Sequence, residues 1–131
     1  MKTDITNAAD IALLLKHFYD KVLKDDCIGY IFTDITKMNL EMHMPILCSF
    51  WESILFGTGQ YKGNPIIKHI ELDKKETLTS LHFDRWKQLF YETIDELFEG
   101  EKATLAKEKA TAMEFLIKMK IDASRKPGFI Q

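Results

Sequence analysis

Residues 61–73 of the chain have the sequence YKGNPIIKHIELD and follow a loop that contains glycine. Asn64 is a favourable N-cap and Pro65 a favourable first helical residue, so a helix is predicted to begin there. Because residues 71–75 are mostly polar, this helix is predicted to last only one or two turns. Spacing of i, i+3 and i+4 gives it a single apolar face. That face consists of Ile66, His69 and Ile70.

The composition of the 131 residues is that of one globular domain, 1–131, with 46% hydrophobic and 29% charged residues. The net charge is −2, and basic residues are scattered among acidic ones, which argues against nucleic acid or a membrane surface as partner. No signal peptide or membrane span is predicted. Cys27 and Cys48 lack metal-type spacing and are predicted to be free thiols. A cytoplasmic protein, monomeric or weakly dimeric, is expected.

The helical period of apolar residues runs through almost the whole chain and predicts an all-α fold. Thr6 or Asn7 is expected to cap the first helix, and Thr79 the third long one. Residues 30–32 are predicted to form one helical turn, and residues 124–131 a loose tail. Long helices are predicted up to residues 24–26, over about 39–56, over about 80–98 and over 101–120.

This arrangement is unlike an ordinary four-helix bundle, because one short helix lies on a long irregular connection. Something besides side chains is therefore expected to fill part of the interior. The last helix is predicted to direct its apolar stripe into the core. The predicted inner positions are Leu105, Ala112, Met113, Leu116 and Met119.

Several kinds of functional site find no support in the sequence. A carboxylate-bridged di-iron bundle needs Glu-x-x-His pairs, and none is present. A structural zinc site needs a tight cluster of cysteine and histidine, whereas these residues are dispersed. The apolar surroundings of the histidines do not suggest a hydrolytic triad, and no phosphate-binding loop of the GxxxxGK type occurs.

Four residues on the predicted helices combine into a more specific pattern. Tyr19 and Trp86 lie on or beside inner faces, and His43 heads the apolar face of the second helix. Each of them, like His69, has a plain interpretation as a packing residue whose polar end bonds to a carbonyl group. Together they describe one histidine ligand and three hydrogen-bond donors among aromatic side chains. That combination is typical of a haem pocket with a proximal histidine and a polar distal side.

Motifs along almost the whole chain point the same way. They are HFYDKV at 17–22, IGYIF at 28–32, HMPILCSFWESILFGTGQYKGNPIIKH at 43–69 and LHFDRWKQLFYETIDELFEG at 81–100. On these motifs the sequence resembles the truncated haemoglobins, and most closely the third group of that family. The absence of any Gly-Gly pair fits this group. Tyr30 and Leu40 depart from the family pattern, in which a small residue and an aromatic residue are common.

The resemblance implies a shortened globin, a two-over-two helical sandwich around haem b. His69 would be the proximal iron ligand, Tyr19 the main donor to a bound ligand, and Trp86 a second donor that also contacts the haem. His43 would lie at the distal gate, either as a ligand of the iron or as a mobile gate. Further contacts with the haem would come from Phe32, Leu47 and Lys68.

The function that the resemblance implies is binding of dioxygen and of other small ligands such as nitric oxide, carbon monoxide or peroxide. Two donors beside the ligand imply slow release of oxygen, which favours redox work with a separate reductase over transport. Nitric oxide dioxygenase and peroxidase-type activities are the candidates. Two alternatives stay open, namely a haem-based gas sensor that signals to a partner and a haem-free helical binding module.

Overall fold

Residues 2–126 are described by the computed structural model, and they contain five α-helices. The helices are α1 (Ala8–Lys24), α2 (Leu40–Phe56), α3 (Pro65–Lys75), α4 (Ser80–Leu97) and α5 (Glu101–Ser124). Between α1 and α2 lies a π-helical turn, Ile31–Ile35, where the sequence predicted a single helical turn over 30–32. Across residues 2–126 no strand is formed, apart from an isolated bridge between Thr3 and Phe98. The predicted all-α class is confirmed.

Side-chain caps fix the starts of four of the helices. In each case the side-chain oxygen of the N-cap residue accepts a hydrogen bond from the backbone N–H three residues later. These N-cap residues are Asn7, Asn39, Asn64 and Thr79. The predicted caps of α3 and α4 are confirmed, and Asn7 rather than Thr6 caps α1.

The start of α5 is capped from another part of the chain. The Asp4 carboxylate accepts hydrogen bonds from the backbone N–H groups of Lys102 at 2.8 Å and Ala103 at 2.9 Å. Gly100 precedes the helix with φ of +147°, and a Cβ at this position would lie 2.5 Å from the Asp4 carboxyl carbon. A glycine is therefore required where the N-terminal segment approaches α5.

Two helices are longer than the sequence predicted. α3 has 11 residues and continues through the mostly polar residues 71–75. Glu71, Lys74 and Lys75 are exposed on the outer face, whereas Leu72 and Asp73 are half-buried, so these residues extend an amphipathic helix and are not a stop signal. α5 continues beyond residue 120 to Ser124, so residue 124 belongs to a helix and not to the predicted tail. Residues 127–131 of that predicted tail lie outside the described residues.

The buried face of α5 also differs from the predicted one. Of the predicted inner positions, Leu105 and Met113 are half-buried, whereas Ala112, Leu116 and Met119 are exposed. The residues that α5 buries are Ala103, Ala106, Ala110, Glu114, Ile117 and Ile121. The prediction was wrong because α5 carries apolar residues around much of its circumference, so apolar content does not identify the core-facing side.

Within residues 2–126 the buried apolar side chains form two clusters. The larger cluster joins α1, α2, α4 and the first half of α5, and the smaller one joins the π-helical turn, α3 and the second half of α5. Phe32 is half-buried and packs against both clusters. α2 and α3 belong to different clusters and do not pack closely on each other, so Leu47 on α2 and Ile66 on α3 stay half-buried. No helix within residues 2–126 is long and apolar enough to cross a membrane.

Candidate functional site

His69 lies in the second turn of α3, the helix that Asn64 caps and Pro65 begins. Its Nδ1 is 2.6 Å from the carbonyl oxygen of Pro65. Because a carbonyl only accepts hydrogen bonds, Nδ1 must carry the proton and donate it, and Nε2 keeps a free lone pair. Burial lowers the pKa of His69, although the bond to Pro65 opposes this effect. The side chain thus offers a neutral imidazole nitrogen with a fixed orientation.

Tyr19 lies on the buried face of α1 with 7% of its surface exposed. Its ring contacts Phe18 edge to face at 4.9 Å and Phe32 at 5.9 Å between ring centroids. Burial raises the pKa of the Tyr19 hydroxyl well above 10, and no hydrogen bond within residues 2–126 opposes this rise. A neutral hydroxyl without a protein acceptor is available to donate a hydrogen bond to a ligand.

Trp86 on α4 belongs to the same aromatic group. Its ring stacks on Phe90, with centroids 5.3 Å apart and planes 9° from parallel, and contacts Phe18 edge to face at 5.7 Å. Since Phe18 touches both Tyr19 and Trp86, and Tyr19 touches Phe32, three of the predicted site residues come together from α1, α4 and the π-helical turn. Phe32 and Trp86 are half-buried.

The remaining predicted residues lie nearer the surface. Leu47 is half-buried on α2 and packs against the larger cluster. His43 lies in the first turn of α2 and is exposed, so its side chain is not held within the aromatic group. Lys68, beside His69 on α3, is exposed as well. Their predicted roles, as distal gate and as partner of a haem propionate, stay predictions.

A hydrogen-bond network that the sequence did not predict lies between α3, α4 and the residue before the π-helical turn. Tyr30 donates to the Glu76 carboxylate at 2.7 Å and lies 3.2 Å from Nε2 of His82. Nδ1 of His82 accepts from the Thr79 N–H, so Nε2 carries the proton and donates to the Tyr30 oxygen. The hydrogen bond to Glu76, followed by burial, raises the pKa of Tyr30 to about 12.

Only one part of this network has a signal in the sequence. Thr79 and His82 have the spacing of a capping box, in which the third helical residue bonds back to the cap. Tyr30 and Glu76 come from separate elements, so no local pattern could pair them. The sequence showed that Tyr30 departs from the family pattern, but it did not show that Glu76 and His82 are the hydrogen-bond partners of Tyr30.

Comparison with known proteins identifies the family. No protein-family model matches the chain. The group 3 truncated haemoglobin ctb of Campylobacter jejuni is 31% identical over 113 residues, which cover 84% of this chain and 87% of that protein. The chain belongs to the group III truncated haemoglobins. The resemblance drawn from the sequence motifs is therefore confirmed.

The fold of this truncated haemoglobin agrees with that of a relative. The crystal structure of a group III truncated haemoglobin from Campylobacter jejuni matches with a TM-score of 0.82 and 27% sequence identity. The match covers 92% of this chain and 95% of the other. The predicted truncated-globin fold is confirmed.

Membership of a haemoglobin family implies a globin that binds haem. The chemistry of the candidate site residues fits haem. His69 presents a neutral nitrogen, which is the form of histidine that ligates metals. Phe32, Leu47 and Trp86 are apolar and half-buried, so they have surface left to cover a flat apolar ring. Tyr19 adds a hydroxyl that has no hydrogen-bond partner among residues 2–126.

Proposed function

We propose that this truncated haemoglobin binds haem b through His69 and holds small diatomic ligands on the side of Tyr19. The bond between His69 Nδ1 and the Pro65 carbonyl carries this proposal, because it leaves Nε2 free and aims the imidazole ring. Cys27 and Cys48 are 21 residues apart, so the sequence has no CxxCH motif for covalent attachment of c-type haem. A haem held without covalent bonds to cysteine is therefore favoured.

The haem ring is proposed to pack against Phe32, Leu47 and Trp86. Their half-buried apolar surface would leave water when the ring packs against it, which stabilises binding by the hydrophobic effect. Lys68 is proposed to pair with a propionate, and this exposed pair is expected to contribute little to affinity. When bound, haem would supply an iron atom that binds small ligands, with His69 as the residue that holds it.

Tyr19 and Trp86 are proposed to act on the ligand as donors. Burial keeps the Tyr19 hydroxyl protonated, and no acceptor among residues 2–126 competes for its proton. The Trp86 indole N–H is a donor only, which suits a ligand atom that carries partial negative charge. His43 is exposed and is proposed to gate entry to this side.

Two hydrogen-bond donors near the ligand favour tight binding of dioxygen, and slow release of dioxygen supports a redox reaction over oxygen transport as the work of this protein. We propose nitric oxide dioxygenation as that work, in which one nitric oxide, one dioxygen and one electron yield one nitrate. The electron would come from a reductase outside this chain. Reduction of hydrogen peroxide to two water molecules, which consumes two electrons and two protons, is the other candidate.

An absorption spectrum of the purified chain tests haem binding. We expect a strong Soret band that shifts on reduction and addition of carbon monoxide, and a pyridine haemochrome spectrum of b type after extraction into acidified acetone. If titration with haem gives only the broad absorption of free haem, with no sharp and saturable Soret band, the helical binding module would be left as the interpretation. A covalently retained haem would exclude haem b.

Stopped-flow mixing of the dioxygen-equilibrated ferrous protein with nitric oxide tests the reaction. We expect rapid conversion to the ferric spectrum and one nitrate per haem. Slow conversion, or nitrite in place of nitrate, would exclude nitric oxide dioxygenation and turn attention to peroxide.

A further inference from the structure

α5 carries a second apolar face that no other described part of the chain covers. Phe115 is 65% exposed, Met119 is 50% exposed and Leu116 is 41% exposed, although the opposite face of the same helix is buried. Single exposed apolar side chains are ordinary, but these lie on adjacent turns, and the face continues through exposed Ala112 and half-buried Ala123. A continuous apolar face of this kind indicates a contact surface.

Three rows of residues with seven-residue spacing form this outer face of α5. The first row is Glu101, Glu108, Phe115 and Asp122, the middle row is Leu105, Ala112 and Met119, and the third row is Lys102, Lys109, Leu116 and Ala123. Neighbouring residues of a helix are about 100° apart around its axis, so the first and third rows flank the middle row on opposite sides. Carboxylates therefore occupy one edge of the face and lysines the other.

We infer that a second copy of the chain docks on this face, with the two α5 helices side by side and parallel about a two-fold axis. In a parallel pair the first row of one helix faces the third row of the other. Glu108 then meets Lys109 of the second copy, and Phe115 meets Leu116. From Glu108 to Met119 the face is thus complementary to itself in both charge and apolarity, whereas Asp122 meets Ala123 at the end of the helix.

An antiparallel pair lacks this complementarity. Each row would then face its own counterpart in reverse order, which places Glu101 against Asp122, Glu108 against Phe115, and Lys109 against Leu116. These contacts set like charges together or bury a charge against an apolar side chain without a partner, and both are unfavourable. The charge pattern therefore selects the parallel orientation. Lys102 contributes less than Lys109, because it is half-buried and donates to the Leu55 carbonyl oxygen.

Sedimentation velocity of the haem-loaded chain, at concentrations up to the millimolar range, tests the association. We expect a monomer–dimer equilibrium. Leu116→Glu should raise its dissociation constant at least about 100-fold, because each dimer would bury two unpaired carboxylates. Leu13→Glu on α1 is the matched control, since Leu13 is 43% exposed on another surface. A monomer at every concentration, or a dimer that Leu116→Glu does not weaken, would overturn the inference.

Charge exchange and cross-linking test the orientation without placing a charge in the apolar part of the face. Glu108→Lys and Lys109→Glu should each weaken the dimer about three- to tenfold, and the double variant should recover the original affinity. Met119→Cys should form a disulfide between copies in oxidised glutathione, whereas the wild-type chain, with half-buried Cys27 and Cys48, should not. Failure of the double variant to recover, or no cross-link, would overturn the parallel arrangement.

Discussion

At the scale of single residues, the candidate site depends on the half-buried His69 and the buried Tyr19, and the fold favours the neutral form of both. Burial lowers the pKa of His69 and raises the pKa of Tyr19, so both side chains are neutral around pH 7. A neutral imidazole has the lone pair that a metal requires, and a neutral phenol has the proton that a ligand can accept. These protonation states fit the roles proposed for the two residues, iron ligation by His69 and hydrogen-bond donation by Tyr19.

Tyr19→Phe removes the donor and keeps the packing of the ring against Phe18 and Phe32. A hydrogen bond to a partly charged group contributes about 1.5–3 kcal/mol, and about 1.4 kcal/mol changes a rate or constant tenfold. We expect dioxygen to dissociate faster by one to two powers of ten, whereas dissociation of the less polar carbon monoxide changes far less. Stopped-flow ligand replacement measures both rates.

Trp86→Phe is the companion variant, because the indole N–H of Trp86 could partly replace the hydrogen bond that Tyr19→Phe removes. The double variant should therefore show a non-additive effect on dioxygen dissociation. Equal changes for the two gases, or none for dioxygen, would mean that Tyr19 only packs and that the distal site is wrongly placed.

His43 allows a second test at this scale. Since it is exposed in the first turn of α2, we expect it to gate the pocket without ligating the iron. His43→Leu should then leave a high-spin ferric absorption spectrum unchanged at neutral pH while altering the association rate of carbon monoxide. A low-spin wild-type spectrum that becomes high-spin in the variant would show direct ligation by His43.

At the scale of elements, α3 is held in place at its C-terminal half by the rest of the chain. Arg125 donates two hydrogen bonds to the Asp73 carboxylate, at 3.0 Å from Nε and 2.5 Å from Nη2, and the Leu78 N–H donates a third at 2.9 Å. Tyr30 bonds to Glu76 just beyond the helix. The helix that carries His69 is therefore attached to the end of α5 and to the turn after α1.

The pairing with Arg125 lowers the pKa of Asp73 below 3.8. A lowered folded-state pKa stabilises the fold above the unfolded-state value, and this stabilisation is lost as pH falls through the folded-state value. Asp73→Asn should therefore lower the free energy of unfolding by about 1–3 kcal/mol at neutral pH, and the difference from wild type should shrink as the pH falls below the ordinary value of an aspartate. Urea unfolding at about pH 7 and about pH 3 measures it.

Asp20→Asn, at an exposed position of α1, is the control and should change stability little at either pH. If Asp73→Asn lowers stability equally at both pH values, the loss would come from the altered side chain's packing and not from its charge.

The elements show why the sequence predicted some features and not others. Helix starts were predictable because a cap such as Asn64 or Thr79 satisfies backbone groups only three residues away. The buried face of α5 was not predictable from the sequence. Leu116 and Met119 are larger and more apolar than Ala106 and Ala110, and only the packing of neighbouring helices determines which of these residues are buried. The length of α3 was missed because polar outer residues resemble a loop.

The candidate site likewise has some features that the sequence predicted and others that it did not. His69 was predictable from Asn64 and Pro65, which place it on a helical face, and from family motifs around it. The contacts of Tyr19 and Trp86 through Phe18 required the fold, because α1 and α4 are distant in sequence. The hydrogen bonds that join Tyr30 to Glu76 and His82 depend on three separate segments and had no local signal.

At the scale of the whole molecule, the core is divided into a larger and a smaller cluster that meet at Phe32. A group bound between α2 and α3 would join the two clusters, and binding to the folded state adds stability by mass action. We expect removal of haem to lower the melting temperature. It should also lower hydrogen-exchange protection much more in α3 than in α1 and α4, because α3 belongs to the smaller cluster.

Hydrogen exchange followed by mass spectrometry, on the haem-loaded and haem-free chain, measures this difference. α1, whose buried residues belong to the larger cluster, is the internal control. Equal loss of protection in α1 and α3 would mean that the two clusters unfold as one unit and that haem does not connect them.

The ferrous–carbon monoxide absorption spectrum of His69→Ala tests the central claim most directly. His17→Ala, at an exposed position of α1, is the matched control and should keep the wild-type spectrum and haem content. We predict that His69→Ala loses the wild-type spectrum and most of its haem, and that added imidazole restores part of both, because it supplies the missing nitrogen. Wild-type haem content with an unchanged ferrous–carbon monoxide spectrum in His69→Ala would contradict the account and show that another residue ligates the iron.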